Sequence, residues 1–154
     1  MQTEKQDQKK IEGGMTLERA RHIFDRKPDG SPDYSIIESC YHENLRFQDP
    51  LQKLEGRAAF IEMSDTFVGR VFDFEASIEK SAQTGNVIFI QWTMAYRFGK
   101  PTAPRMTSEG TTKLELDEDG MVVVHRDYFD MWGDVIRSFK PARGLYDRFM
   151  KKMG

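Results

Sequence analysis

A change of hydrophobic period near residue 70 limits the folds open to this chain more than any other feature. Before it, apolar residues recur at helical spacing; after it, they alternate in long runs. "RAAFIEMSDTFVGRV", opened by Gly56, places Phe60, Ile61, Ser64, Phe67 and Val68 on one side of a helix. Immediately afterwards "FDFEASIEKSA" reads as a strand and "GNVIFIQWTMAYRF" as a long, largely buried one. "RMTSEGTTKLELDEDGMVVVHRDYFDMW" then reads as a hairpin turning at Asp119-Gly120. Helices followed by an uninterrupted series of strands imply an α+β domain: an antiparallel meander with helices against one face.

The segments upstream complete that outline. In "MTLERARHIFDRK", Thr16 can cap a first helix, although Arg19 does not complete a capping box, and Leu17, Ala20, Ile23 and Phe24 share a face. "PDGSP" breaks the chain, and "DYSIIESCYHEN" predicts a short second helix with Ile36, Ile37, Cys40 and Tyr41 as its stripe. "LRFQDP" alternates Leu45, Phe47 and Asp49 against Arg46 and Gln48 until Pro50 stops it, which predicts a short edge strand. The expected organisation is a polar, flexible arm over 1–14, one domain over 15–135 and an amphipathic tail helix over 136–154, with Leu145, Phe149 and Met153 at spacing four beside a basic face. Such a basic face is most simply solvated, with a lid or a contact to an anionic surface as the other reading.

Composition bounds the function. The formal charge of −2, with both signs interspersed among 31% charged residues, lacks the basic stripe of a nucleic-acid binder, so no nucleic acid is expected. No apolar run approaches a membrane span and no signal peptide opens the chain. The single cysteine, Cys40, fits a cytoplasmic protein, and without metal-ligand spacing neither a metal nor a cofactor is expected. That leaves small molecules or proteins as the better candidate partners. A second copy is one such partner, because Ile88, Ile90, Trp92 and Met94 alternate with Val87, Phe89, Gln91 and Thr93, leaving few charges on either face of the sheet.

Parity along the hairpin singles out candidate chemistry. If Asp119 and Gly120 are the two central residues of a turn, Leu116 faces Val123, Leu114 faces His125 and Thr112 faces Asp127. A four-residue loop would keep the faces and a three-residue loop would swap one strand over. The face carrying Thr112, Leu114, Leu116, Val123, His125, Asp127 and Phe129 is the more apolar and should turn inward, while Asp130 should not. An inward histidine and aspartate are costly unless hydrogen-bonded or hydrated. They are either a satisfied pair tying sheet to helix or part of a pocket.

The order of elements, together with "YHENLRFQDPLQKLEGRAAFIEM" and "LELDEDGMVVVHRDYFD", resembles the nuclear transport factor 2-like superfamily, which includes ketosteroid isomerase, SnoaL-like polyketide cyclases and limonene epoxide hydrolase. The resemblance spans about residues 16–132. It implies a cone-shaped, curved antiparallel sheet wrapped around three N-terminal helices, an internal pocket, and a homodimer across the sheet's outer face.

Residue by residue, the resemblance puts Asp49 at the Asp-Pro position of the isomerase's general base, although a plain Asp-Pro turn would use the same carboxylate for local N–H groups. It puts Thr112 where the isomerase has its protonated acid, and Phe24 and Asp25 near its tyrosine, so that oxyanion hole is missing and true ketosteroid isomerase activity is not expected. Asp127, preceded by His125, matches the His-x-Asp of the cyclases' final strand. Asp127 would move a proton, and His125 would donate to a developing enolate or tune its neighbour. Arg46, Arg97 and Arg126 are available for the epoxide hydrolase's Asp–Arg–Asp set, but Arg46 and Arg126 point outward by parity.

The candidate catalytic residues are therefore Asp127, Asp49 and His125, and the candidate pocket residues Thr112, Phe47, Tyr41, Trp92, Phe129 and Phe60. The aromatic side chains are first of all core residues, some of which should also line the pocket, and nine methionines could give its wall an adaptable shape. Three activities remain open: a cofactor-independent acid/base isomerase, cyclase or hydrolase acting on a small apolar carbonyl compound or epoxide; a non-catalytic binding module; and a dimerisation domain whose cavity is filled by Trp92 and the phenylalanines.

Overall fold

The computed structural model describes residues 13–154; of the arm expected over 1–14, residues 1–12 lie outside the described residues. The order is α1 (Leu17–Ala20), α2 (Ser35–Cys40), β1 (Tyr41–Gln48), β2 (Lys53–Glu55), α3 (Arg57–Val68), β3 (Val71–Thr84), β4 (Val87–Phe98), β5 (Arg105–Leu116), β6 (Val122–Phe129), two irregular helical turns over 131–138, and α4 (Lys140–Met153). The strands form one curved, unclosed sheet in the order β2-β1-β6-β5-β4-β3. Bulges in β3 between Phe72 and Glu75 and between Ile78 and Lys80 bend its long outer edge. The fold is the expected α+β arrangement, with helices against the concave face.

Three local expectations change. The first helix is a single turn capped by Thr16, whose hydroxyl accepts the Arg19 N–H; Ile23 packs into the core from the turns that follow it. The strand beginning near Leu45 is longer than expected and is not an edge, because Tyr41, the last member of the α2 stripe, already starts β1 and β2 covers its outer side. The pairing of β1 with β6 is parallel, joining Phe47 to His125 and Gln48 to Arg126, while the other neighbours are antiparallel. Gly56 opens α3 with φ +97°, a conformation that disfavours any side chain, and its N–H donates to Leu45 O.

The hairpin reaches its expected register by an unexpected route. Asp117 N–H donates to Met121 O, which makes a three-residue loop rather than a two-residue turn, and Leu116 pairs with Val122. That loop would swap β6 over, but a bulge before the Glu115–Val124 pair swaps it back. Leu114 therefore faces His125 and Thr112 faces Asp127, as two-residue geometry predicts. The exchanged pair is local: Val122 is fully buried and Val123 only half-buried, the reverse of the expected faces.

Tyr41, Leu45, Ile88, Ile90, Leu114 and Val122 form the closed end of the core, each with no exposed surface. Burial of each such side chain is worth roughly 1.5–3 kcal/mol, so this end anchors the fold. On β4 the predicted alternation holds, with Ile88, Ile90 and Trp92 inside and Phe89 37% exposed on the outer face. The stripe on α4 faces outward, with Leu145 71% and Met153 69% exposed.

Candidate active site

Beyond the closed end, the concave face and α3 diverge and leave a cavity of about 780 Å³. Its wall is mostly apolar, with Phe47, Phe60, Phe67, Trp92, Met94 and Phe129 among the lining side chains. Thus the aromatic residues do not fill it. Trp92 lies flat on the sheet across Gly110, its cross-strand partner, where even a Cβ would stand 2.3 Å from the indole. Glycine at that one position gives the ring its resting place, and the ring in turn forms part of the cavity wall.

The polar groups meet where β6 enters this wall. Trp92 Nε1 donates to Thr112 Oγ1 at 3.0 Å, and Thr112 Oγ1 donates to Asp127 Oδ1 at 2.5 Å. His125 Nε2 lies 2.9 Å from the same Oδ1, and Tyr41 Oη lies 3.0 Å from His125 Nδ1. An indole N–H can only donate, so the threonine hydroxyl, which accepts it, has its own proton free for Asp127. Burial, reinforced by the negative charge of Asp127, pushes the Tyr41 hydroxyl well above its usual pKa, so it stays protonated and shares one hydrogen with Nδ1. With Nδ1 against the Tyr41 hydroxyl and Nε2 against the Asp127 carboxylate, every group between Trp92 and Tyr41 has a partner.

Asp127 is where this network meets the cavity. His125 has 2% of its side chain exposed, packed between the rings of Phe47 at 5.2 Å and Phe60 at 5.0 Å, whereas Asp127 has 17% exposed. Both donors converge on Oδ1, which leaves Oδ2 with no protein donor among the described residues. A carboxylate held rigidly through one oxygen, with the other available inside an apolar cavity, can accept a proton from a bound molecule.

Asp49 reaches the cavity rim one residue past the Gln48–Arg126 pair, so the two carboxylates enter from neighbouring strand ends. Its Oδ1 accepts the N–H groups of Leu51 at 2.7 Å and Gln52 at 2.9 Å, which are the bonds of an Asp-Pro turn. Of the six expected pocket residues, Phe47, Tyr41, Trp92, Phe129 and Phe60 line the cavity, while Thr112, fully buried, stands behind the wall and holds Asp127. Asp130 turns away to accept the N–H groups of Trp132 and Gly133. The three arginines considered beside the aspartates are elsewhere: Arg46 is exposed, Arg126 covers the Tyr128 ring at 4.8 Å, and Arg97 binds Asp73 at 2.6 Å.

Several polar residues of the wall were missed, Ser108 and Arg26 among them. Ser108 is inward by the same parity as Thr112 on β5, a signal present in the sequence, whereas Arg26 reaches the cavity from the loop after α1, which no periodicity predicts. Among the described residues no group of three His, Cys, Asp or Glu side chains is placed to hold a metal ion. No helix among them is long and apolar enough to cross a membrane.

A curved α+β cone with an interior cavity and a carboxylate in its wall defines the nuclear transport factor 2-like class. Within that class, residues 22–125 match the model of the SnoaL-like domain, and the chain belongs to that family. Its fold is similar to that of a putative SnoaL-like polyketide cyclase from Jannaschia sp. CCS1, at 16% identity and a TM-score of 0.64 over 75% of this chain and 85% of that one. An epoxide hydrolase of the limonene epoxide hydrolase type from M. tuberculosis shares 19% identity and a TM-score of 0.61, over 88% of this chain and 95% of that one. A hypothetical protein of ketosteroid isomerase-like fold from Catenulispora acidiphila, in complex with trimethylamine, shares 13% identity and a TM-score of 0.63 over 80% and 91% of the two chains. At such identities the likeness establishes the fold and not the activity. No curated protein sequence matches the chain significantly.

Proposed function

We propose that this protein is a cofactor-independent acid/base enzyme that isomerises or cyclises a small apolar carbonyl compound, with Asp127 as the group that moves the proton. The observation that carries this reading is the one-sided anchoring of Asp127: Oδ1 holds Thr112 and His125 while the side chain lines the cavity. In the forward step Asp127 Oδ2 takes a proton from the carbon next to the carbonyl, the C–H pair moves to form the enolate, and Asp127 returns the proton at the carbon where the new bond pattern requires it. His125 acts on Asp127 as a positioning residue, because both of its ring nitrogens are already engaged. Asp49, with Oδ1 committed to its turn, stands second as a proton carrier. Hydration of an epoxide would use the same carboxylate on a water. With Arg46 exposed, Arg126 on the Tyr128 ring and Arg97 bound to Asp73, none of these three arginines supports that route.

The test is exchange at carbon. Small cyclic enones incubated with the protein in deuterated water are expected to gain deuterium next to the carbonyl, and Asp127→Asn to slow this by roughly 10²–10⁴-fold. Binding of the enone without exchange would instead support the non-catalytic module, and absence of both would count against a compact carbonyl compound as the substrate. We extend the proposal to a cytoplasmic homodimer through the outer face, where Phe89 is 37% and Tyr128 44% exposed. Sedimentation equilibrium of wild type and Phe89→Lys tests it, a monomeric wild type counting against it.

A further inference from the structure

Ser108 is the one buried hydroxyl among the described residues whose oxygen has no partner. The residue is 4% exposed, lines the cavity, and its Oγ meets no donor or acceptor of the protein. A hydroxyl in that state is disfavoured, because it has given up its bonds to water without replacement. The same cavity holds a second donor without an acceptor, the buried Nε of Arg26. The rest of that guanidinium is fixed: it stacks over Phe74 at 4.1 Å from the ring centre and one terminal nitrogen donates to Gly30 O at 2.8 Å. Desolvation lowers the pKa of Arg26, and among the described residues no carboxylate forms an ion pair with it. Both groups belong to residues that line this cavity, both can donate, one of them is cationic, and the chain supplies neither with an acceptor.

Strand geometry separates these donors from the proposed proton carrier. Ser108 and Thr112 lie four residues apart on the inner row of β5, or about 14 Å along the strand at ~3.4 Å per residue. Thr112 is bonded to Asp127. Between them the wall is apolar, formed by Trp92 lying over Gly110 and by Phe129, the residue opposite Gly110. A compact neutral ketone seated at Asp127 would leave the distant donors unanswered, whereas an elongated molecule satisfies both ends.

We propose that the cavity takes an elongated apolar carboxylate, whose acid group is held by Ser108 Oγ and Arg26 Nε while its body runs along Trp92 and Phe129 toward Asp127. This deepens the reading above by naming the substrate class, and it rests on the same cavity but not on proton transfer. Asp25 and Glu62 also line the cavity, so neutral and anionic probes must be compared directly rather than by affinity alone.

The experiment is titration calorimetry with decanoate, its methyl ester and decanol, on wild type, Ser108→Ala, Arg26→Gln and Asp127→Asn. Decanoate is expected to bind wild type at least about ten-fold more tightly than the ester or the alcohol, as charge-assisted bonds require. Ser108→Ala and Arg26→Gln should each erase most of that preference while leaving ester binding within about two-fold, and Asp127→Asn should keep it. Ser108→Ala should also melt no lower than wild type, because an unpartnered hydroxyl is removed; this keeps a folding defect from imitating a binding one. Equal binding of acid and ester, or a preference that survives both substitutions, overturns the carboxylate proposal alone. Failure of every probe to bind wild type overturns it together with the small-molecule reading, while deuterium exchange without acid preference leaves the enzyme proposal standing and defeats only this one.

Discussion

Among the described residues two histidine–aspartate pairs have almost the same length, and they have almost nothing else in common. His22 Nδ1 lies 2.8 Å from Asp25 on a surface turn where about half of each side chain is exposed. His125 Nε2 lies 2.9 Å from Asp127 with 2% and 17% exposed. Around His22 the bond to Asp25 raises the pKa, with Glu18 adding to it, and water can replace either partner. Around His125 no such replacement is possible, because each ring nitrogen meets one protein group and aromatic rings close the rest. Distance alone therefore says little about a polar contact; what surrounds it decides whether the pair is decoration or framework.

Substitutions that break the interior pair should have the largest effects. His125→Ala strands the Tyr41 hydroxyl, removes a donor from Asp127 and opens a cavity between Phe47 and Phe60, so a loss of about 3–5 kcal/mol is expected in urea unfolding. A loss under about 1 kcal/mol would show that the network is not structural. Thr112→Val keeps the volume but takes away the link between Trp92 and Asp127, which should cost about 1–3 kcal/mol and lower deuterium exchange by loosening the carboxylate. If exchange is unchanged, Thr112 does not position Asp127.

Smaller effects sharpen the contrast from the surface side. Asp49→Ala removes two charge-assisted bonds at a half-exposed turn and should destabilise by about 1–2 kcal/mol in the same unfolding measurement; retention of most exchange activity would confirm that Asp127 carries the proton. His22→Gln should change stability by less than about 1 kcal/mol, since both partners are solvated. The sign of its pH dependence is defined. Because the folded pKa is raised, the contribution is fully present below the unfolded value near ~6.5 and disappears as pH rises through the folded one. The wild-type advantage over His22→Gln should accordingly be seen at pH 5 and be absent at pH 8.

How far the site was legible follows from the two periods. Strand parity alone put His125 and Asp127 inside, turned Arg46 and Arg126 outward, and would have put Ser108 inside as well. The cancellation of a three-residue loop by a bulge left that parity intact, so a wrong turn geometry still led to the right pairs. Where parity does not reach, the reading stopped: the parallel pairing of β1 with β6, the hydroxyl of Tyr41 against His125 across 84 residues, and Arg26 in the wall all depend on how separate segments meet. The epoxide hydrolase arginines could be excluded by face for two of three, and only the bond to Asp73 accounts for Arg97.

By itself the sequence determined the class of fold, five of the six strands and the inward row of β6, since these depend on local periodicity and on the cost of exposing apolar side chains; the three-residue β2 carries no such period. Only the tertiary structure decided that Trp92 lies across Gly110, that Thr112 stands behind the wall rather than in it, and that Asp127 keeps one oxygen for the cavity. The reason is physical. Which face a residue occupies is set within a few neighbours, but which partner satisfies it is set by packing among segments far apart in the chain, where shifts of an ångström choose between a hydrogen bond and none.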